Sequence, residues 1–342
     1  MVNTITIQEF LQRAKQLPVL DVRAPKEYEA GHIPAAHSFP IFDDQQRALV
    51  GTAYKQQGHD PAVLLGLDLF GPRMSGFVKE AGKLAKDKEL LVHCWRGGMR
   101  SSAMAWLLNF SGFKVHLLEG GYKTYRHLML EQFSKPRKLL ILGGLTGSGK
   151  TDLLPYLQQL GQQTIDLEAL ANHKGSAFGN IGMPPQPSTE HFENMLGIQL
   201  LQSDTEQPLW LEDESKTIGK VVMPIQLHEQ MQNAPAIVIN PPKKLRIYKL
   251  AQEYCQTDKA ILEAAILKIK KRLGGLATKE ALIAIAEGDM EKMVEIALSY
   301  YDKAYHFDLA KRQHVLALEL AGIEPEENAA QVVQFAKQNN LL

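Results

Sequence analysis

The sequence predicts an α/β protein built of two parallel-sheet domains, and three observations predict it. Short apolar runs that end in polar or acidic residues alternate with helical stretches. A glycine-rich loop stands between an apolar run and a helix-like stretch near the middle of the chain. Beyond Lys249 a longer helical periodicity takes over, adding a helical C-terminal region. Length agrees: at about 100–200 residues per domain, a chain of 342 residues holds two domains.

In the first domain, placed at residues 1–133, LPVLDVR (Leu17–Arg23) reads as a buried strand ending in an acid. KELLVH (Lys88–His93) is a second strand, Arg100–Asn109 a helix, and KVHLL (Lys114–Leu118) a third strand. Strand, helix and strand in about thirty residues make a parallel unit. Tyr122–Glu131 is a helix leading out, and Ser134, Lys135 and Pro136 form the junction. The second domain, 134–342, opens with the strand Arg137–Leu142, the loop Gly144–Thr151 and a helix Asp152–Leu160. Thr164–Leu167, Leu209–Glu212 and Ala236–Ile239 are further strands, and Asn172–Ser188, rich in glycine and proline, is a loop. Lys249–Tyr254, Glu263–Gly274, Thr278–Glu287, Met290–Ser299 and Tyr305–Leu320 read as helices, and Glu327–Gln338 as an amphipathic stretch.

Lys plus Arg and Asp plus Glu are 38 each, so the formal net charge is +0 and a globally basic nucleic-acid binder is excluded. An apolar fraction of 45% excludes a wholly disordered chain. The two cysteines, Cys94 and Cys255, form neither a disulfide framework nor a zinc motif. Free thiols suit a reducing, cytoplasmic setting. The N-terminus lacks the pattern of a signal peptide, and no run of apolar residues is long enough for a membrane span.

LLVHCWRGGMRSSAMAWLL, residues 90–108, places Cys94 after an apolar strand and Arg100, Ser101 and Ser102 at a helix start. Such an element turns backbone N–H groups toward a bound anion. Arg96 and Arg100 suit an anionic sulfur and an anionic ligand, while Gly97 and Gly98 allow close approach. Five residues between Cys94 and Arg100 fit a loop wrapped around a tetrahedral oxyanion. A phosphatase, with Cys94 as nucleophile and Arg100 as clamp, and a sulfur or selenium transferase both remain open. DVRAPKEYEAGHIPAAHSFPI, residues 21–41, resembles the N-terminal signature of rhodanese domains through Asp21, Arg23, Glu27, Gly31, His32, Ile33 and Pro34. The cysteine loop is one residue longer than that of an ordinary single rhodanese domain.

GLTGSGKT, residues 144–151, satisfies G-x-x-x-x-G-K-[ST] in the required strand–loop–helix context. N–H groups from Gly144, Gly147, Ser148 and Gly149 would cradle a diphosphate or triphosphate, Lys150 would neutralise it, and Thr151 would hold Mg2+ where one takes part. Candidates for substrate or magnesium contacts are Asp166, Glu212 and Asp213, with His173, Lys174 and Ser176 from ANHKGSAFGNIG. Whether a metal is required is left open. Lys243, Lys244 and Arg246, with Lys270, Lys271 and Arg272, form local basic clusters suited to a nucleic-acid backbone.

In their order along the chain the two loops, with YKQQG (54–58), LLEGGYKTYR (117–126) and LEALANHKGSAFG (167–179), resemble the tRNA 2-selenouridine synthase family over nearly the whole chain. The resemblance implies a rhodanese-like domain followed by a P-loop NTPase-like domain with a helical C-terminal region. It implies exchange of sulfur for selenium at C2 of the wobble 2-thiouridine of tRNA, after geranyl diphosphate has alkylated the sulfur. It assigns selenium delivery or carriage to Cys94 and Arg100, with Arg96, Gly97, Gly98 and Ser101 holding selenophosphate, and the geranyl diphosphate to residues 144–151. No tightly bound cofactor is expected, and an enzyme supplying selenophosphate is a candidate partner.

Overall fold

The computed structural model describes residues 2–342, and the chain divides into two compact units, Met1–Gln132 and Phe133–Leu342. Unit 1 runs β1 (Asn3–Ile5), α1 (Ile7–Arg13), β2 (Val19–Asp21), α2 (Pro25–Ala30), β3 (His37–Ser38), α3 (Asp44–Gln57), α4 (His59–Phe70), α5 (Met74–Leu84), β4 (Glu89–His93), α6 (Met99–Phe110), β5 (Lys114–Leu118) and α7 (Gly121–Gln132). Its five strands pair in parallel in the order β1-β5-β4-β2-β3. The chain moves one way across the sheet from β2 to β3 and the other way from β4 to β5, so the carboxyl ends of β2 and β4 flank a switch point where ligands seat. Cys94 follows β4 there.

β4 and β5 are strands because they are apolar runs without a helical stripe, buried along their length after the first residue. One face packs Leu20, Leu90, Val92, Met104, Leu108 and Val115 into a continuous core with Phe39, Phe70 and Phe77. The helices α3, α4 and α5 fill a stretch for which the sequence reading offered no element.

Arg23 and Asp21, at the end of β2, are both 0% exposed. Arg23 donates to both Asp21 carboxylate oxygens, the shortest contact being 2.6 Å, and to the Gly31 carbonyl at 2.7 Å. Its guanidinium lies 3.8 Å from the Tyr122 ring centre. A buried charge is tolerated only when so paired. These contacts tie the turn at Gly31 and the start of α7 to the end of β2.

Unit 2 runs β6 (Leu139–Gly144), α8 (Lys150–Gln159), β7 (Gln163–Ile165), α9 (Leu167–Ala171), α10 (Thr189–Gln202), β8 (Leu209–Glu212), the hairpin β9 (Thr217–Ile218) and β10 (Val221–Val222), α11 (Ile225–Asn233), β11 (Ala236–Asn240), α12 (Lys243–Tyr254), α13 (Lys259–Leu273), α14 (Gly275–Glu287), α15 (Met290–Leu309), β12 (Val315–Glu319) and α16 (Pro325–Gln338). Its second parallel sheet has the order β12-β11-β6-β8-β7. β6, buried at all six positions, is central, and the glycine-rich loop leaves its carboxyl end. Helices α12 to α15 enclose a core of their own, into which the loop residue Phe178 inserts against Tyr254.

Two expectations are corrected. Tyr305–Leu320 is not one helix: α15 ends at Leu309, and Val315–Glu319 is a strand pairing with the edge of β11. A five-residue apolar run suits either element, and the open edge of β11 supplied hydrogen bonds that decided it. The strand expected over Thr164–Leu167 ends at Ile165, because the Asp166 carboxylate accepts from Ala169 N–H at 2.7 Å and starts α9.

Arg23→Ala leaves Asp21 charged and buried without its partner. It should lower the stability of unit 1 by about 3–5 kcal/mol, read as a shifted midpoint in urea unfolding.

Candidate active site

Around Cys94 the chain folds back on itself. Tyr122 N–H donates to the Cys94 carbonyl at 2.8 Å, and Lys123 N–H donates to the Trp95 carbonyl at 2.9 Å. Gly121, at φ +64°, makes this possible: a Cβ there would lie 2.4 Å from the Cys94 carbonyl oxygen and 2.5 Å from Gly97 N. Cys94 is 3% exposed. Its Sγ lies 3.1 Å from the Ser101 hydroxyl, itself 3.1 Å from the Gly98 carbonyl. Arg100 donates to the Glu27 carboxylate at 2.6 and 3.3 Å, and Glu27 also accepts from Ala24 N–H at 3.0 Å. Burial works against the Glu27 charge, but Arg100 and that N–H outweigh it and hold its pKa below the usual range. Arg96 is exposed, as is Gly98, while Gly97 is half-buried.

In unit 2 the loop Gly144–Thr151 runs into α8, so Lys150 and Thr151 occupy that helix's first turn. Lys150 lies 3.2 Å from both Glu168 and Glu214. Burial disfavours its ammonium, but Glu168, Glu214 and Glu212 outweigh burial and raise its pKa well above the ordinary value. Thr151 Oγ1 lies 2.9 Å from Glu168 and 2.5 Å from Glu212. One hydroxyl proton cannot serve both acids. Burial pushes the Glu212 carboxyl well above the usual carboxylate range, and the two acids compete for the one Thr151 proton. Burial likewise pushes Glu214 up to about 7. The Ser148 hydroxyl is buried without a hydrogen-bond partner among the described residues.

Helices α12 and α15 hold this loop from outside. Arg246 donates to the Thr146 carbonyl at 3.1 Å and pairs with both Asp302 oxygens at 2.9 and 2.8 Å. Gly147, at φ +79°, packs so closely that a Cβ would lie 2.8 Å from Leu250 Cδ1. Gly144 N–H donates to the Tyr305 hydroxyl at 2.8 Å, which donates to Asp213 at 3.1 Å. Arg312 pairs with Asp213. A cavity of about 640 Å³ opens over the loop, walled also by Asp166, Lys174, Ser176, Arg272 and Tyr301.

Residues 137–340 match the family described as the tRNA 2-selenouridine synthase AAA domain, and residues 6–128 match the rhodanese-like domain. A tRNA 2-selenouridine synthase of Shewanella denitrificans is 35% identical over 336 residues, covering 86% of this chain and 89% of that protein. The chain belongs to the tRNA 2-selenouridine synthase family. Its namesakes in Shewanella piezotolerans and Bdellovibrio bacteriovorus are each 33% identical, over 91% and 89% of this chain and 94% and 92% of theirs.

The structure of this family member gathers Cys94, Gly97, Gly98, Arg100 and Ser101 at one strand-to-helix junction, and Gly144, Gly147, Ser148, Gly149, Lys150 and Thr151 at the other. Of the acids, Glu212 stands under Thr151, Asp166 caps α9 at the cavity wall, and Asp213 is engaged by Arg312 and Tyr305. Lys174 pairs with Glu253, Ser176 lines the cavity, and His173 is buried in its own loop against Gly179. Lys244, Lys270 and Lys271 are exposed, Lys243 is exposed near Glu295, and Arg272 donates to the Tyr300 hydroxyl at the cavity. The placement of Arg246 among RNA-facing residues is overturned. It is 2% exposed and spends its donors on Asp302 and the phosphate loop. Sequence reasoning missed Glu168, Tyr305, Asp302 and Arg312. Glu168 alone had a usable signal, lying two residues after Asp166 in a stretch that matches the family.

Glu214 is neutral below about 7 and charged above it. Its folded pKa exceeds its ordinary value, so its ionisation costs stability as pH rises between them, and the cost is complete above pH about 7. Glu214→Gln should therefore change the melting temperature more favourably at pH 8 than at pH 5, by calorimetry at both values.

Proposed function

We propose that this chain converts the wobble 2-thiouridine of tRNA to 2-selenouridine in two steps. Geranyl diphosphate first alkylates sulfur in unit 2, and selenium from selenophosphate then replaces the alkylthio group with the help of the Cys94 loop in unit 1. The observation that carries this reading is that each unit has a glycine-containing strand-to-helix loop at the carboxyl end of a central strand of its own parallel sheet. Family membership supplies the tRNA substrate.

Chemistry favours the order. The C2–S group of thiouridine leaves poorly, whereas an S-alkyl group leaves as a thiol. Departure of diphosphate needs its growing negative charge stabilised. The N–H groups at the start of α8, the Lys150 ammonium and the unpartnered Ser148 hydroxyl are suited to that task. Lys150 would exchange its carboxylate partners for phosphate oxygens.

A magnesium ion fits the donor set in the form such ions prefer, with few protein ligands and several waters. Thr151 Oγ1 would be its protein contact, with Glu212 behind it. Among the described residues no group of three or more His, Cys, Asp or Glu side chains is arranged to hold a metal. When bound, the ion would add positive charge at the departing diphosphate. No nucleotide is required by this account.

Among the described residues no helix is long and apolar enough to cross a membrane. We place the reaction in the cytoplasm, with a selenophosphate-supplying enzyme as a candidate partner.

Mass analysis of thiolated tRNA tests the scheme. With geranyl diphosphate alone and no nucleotide, the wild type should yield the S-geranyl base, and Lys150→Ala should lose at least about a hundredfold in rate. Cys94→Ser should geranylate normally and stop there. Strict dependence on ATP would reject this use of the loop. The exposed Lys270 and Lys271 are proposed RNA contacts: reversing both to Glu should weaken tRNA binding and flatten its log-salt slope by roughly two, at about 0.9 per phosphate contact.

A further inference from the structure

We propose that Cys94 takes the phosphoryl group, not the selenium, from selenophosphate, and so releases selenide inside the loop. This step rests on the reading that selenophosphate is the donor.

The electron count points this way. Selenium is at the selenide level in selenophosphate and again in the C=Se group of 2-selenouridine, and phosphorus ends as phosphate. The exchange is therefore redox-neutral. A Cys94–S–Se link would need selenium to give up an electron pair to departing phosphorus and regain one later from another thiol. Unit 1 has no other cysteine. Cys255 belongs to unit 2, is exposed, and points its thiol at the Gln252 carbonyl, 3.0 Å away.

The loop geometry favours attack at phosphorus. Five residues separate Cys94 from Arg100, a span suited to a tetrahedral oxyanion, and Glu27 fixes the Arg100 guanidinium. Ser101 supplies the group that would receive the returning thiolate. Its hydroxyl, 0% exposed, stands 3.1 Å from Cys94 Sγ. It donates to the Gly98 carbonyl in the resting loop and, turned to Sγ, would stabilise a thiolate sulfur as it leaves phosphorus. The same contact would also serve a thiolate leaving an outer chalcogen, so it is the electron count and the span to Arg100 that favour phosphorus.

The steps balance. The Cys94 thiolate attacks phosphorus of monoprotonated selenophosphate, S–P forms, P–Se breaks, and hydroselenide leaves with the electron pair. Water then attacks phosphorus, S–P breaks, dihydrogen phosphate leaves, and the thiolate returns with Ser101 donating to it. Hydroselenide attacks C2 of the S-alkylated base, its proton moves to N3, C2–S breaks, and the thiolate of the alkyl group departs.

The test is acid quenching of the full chain with selenophosphate carrying radiophosphorus or radioselenium, without tRNA. Phosphorus should remain on Cys94 while selenium appears in solution as selenide, and Cys94→Ser should retain neither label. Ser101→Ala should slow breakdown of the phosphorylated protein about a hundredfold and so raise its steady level. Loss of structure would lower that level instead. Radioselenium retained on Cys94 with phosphorus released overturns the proposal. So does turnover on pre-geranylated tRNA with neither label ever bound in wild type or Ser101→Ala. If that tRNA gains no selenium and selenophosphate is left intact, the donor reading itself fails, and this step with it.

Discussion

A cation kept beside an anion-binding loop has to be paired before the anion arrives, because an unpartnered charge out of water is too costly to keep. Both loops of this chain meet that constraint with glutamates. Glu27 holds Arg100 next to the Cys94 loop, and Glu168 and Glu214 hold Lys150 at the start of α8. The same rule explains Arg23 on Asp21 and Arg246 on Asp302, whose guanidiniums are buried more deeply than the cations at the sites and serve to position loops. Much of the architecture near the sites is the framework that brings these acids to their cations.

The pairing also shapes the chemistry. A phosphate-bearing ligand that draws Lys150 away leaves carboxylates behind, and burial already keeps Glu212 and Glu214 inclined to be protonated. In unit 1 the arrangement is simpler. One acid orients one guanidinium, and the nearest polar group to the thiol is the neutral Ser101 hydroxyl. On the proposed scheme, one site would stabilise a highly charged leaving group and the other would direct a sulfur at a small oxyanion.

The C-terminal helices give unit 2 its second level of control. Tyr305 on Gly144, Arg246 on Thr146 and Leu250 against Gly147 hold the glycine-rich loop at three points. A loop rich in glycine has much conformational entropy to lose on ordering. Fixing it from outside means that a ligand meets a cradle already formed.

Local chemistry made a large part of this legible. ELLVH, KVHLL and LLILGG are apolar runs whose composition suits buried parallel strands, and CWRGGMRS and GLTGSGKT declare themselves because each needs glycine, cation and hydroxyl at fixed spacing. Those determinants act within a few residues of one another, so the sequence by itself determined most strands of the two sheets, the two loops and their order. What only the tertiary structure decided acts between residues far apart in the chain. The edge of β11 made Val315–Glu319 a strand, and Asp302 turned Arg246 from the surface into a support for the loop. Glu27 took Arg100, and Glu168 took Lys150, as partners. A side chain's charge is written in its residue type, but its partner and its burial are set by which distant segment the fold lays against it.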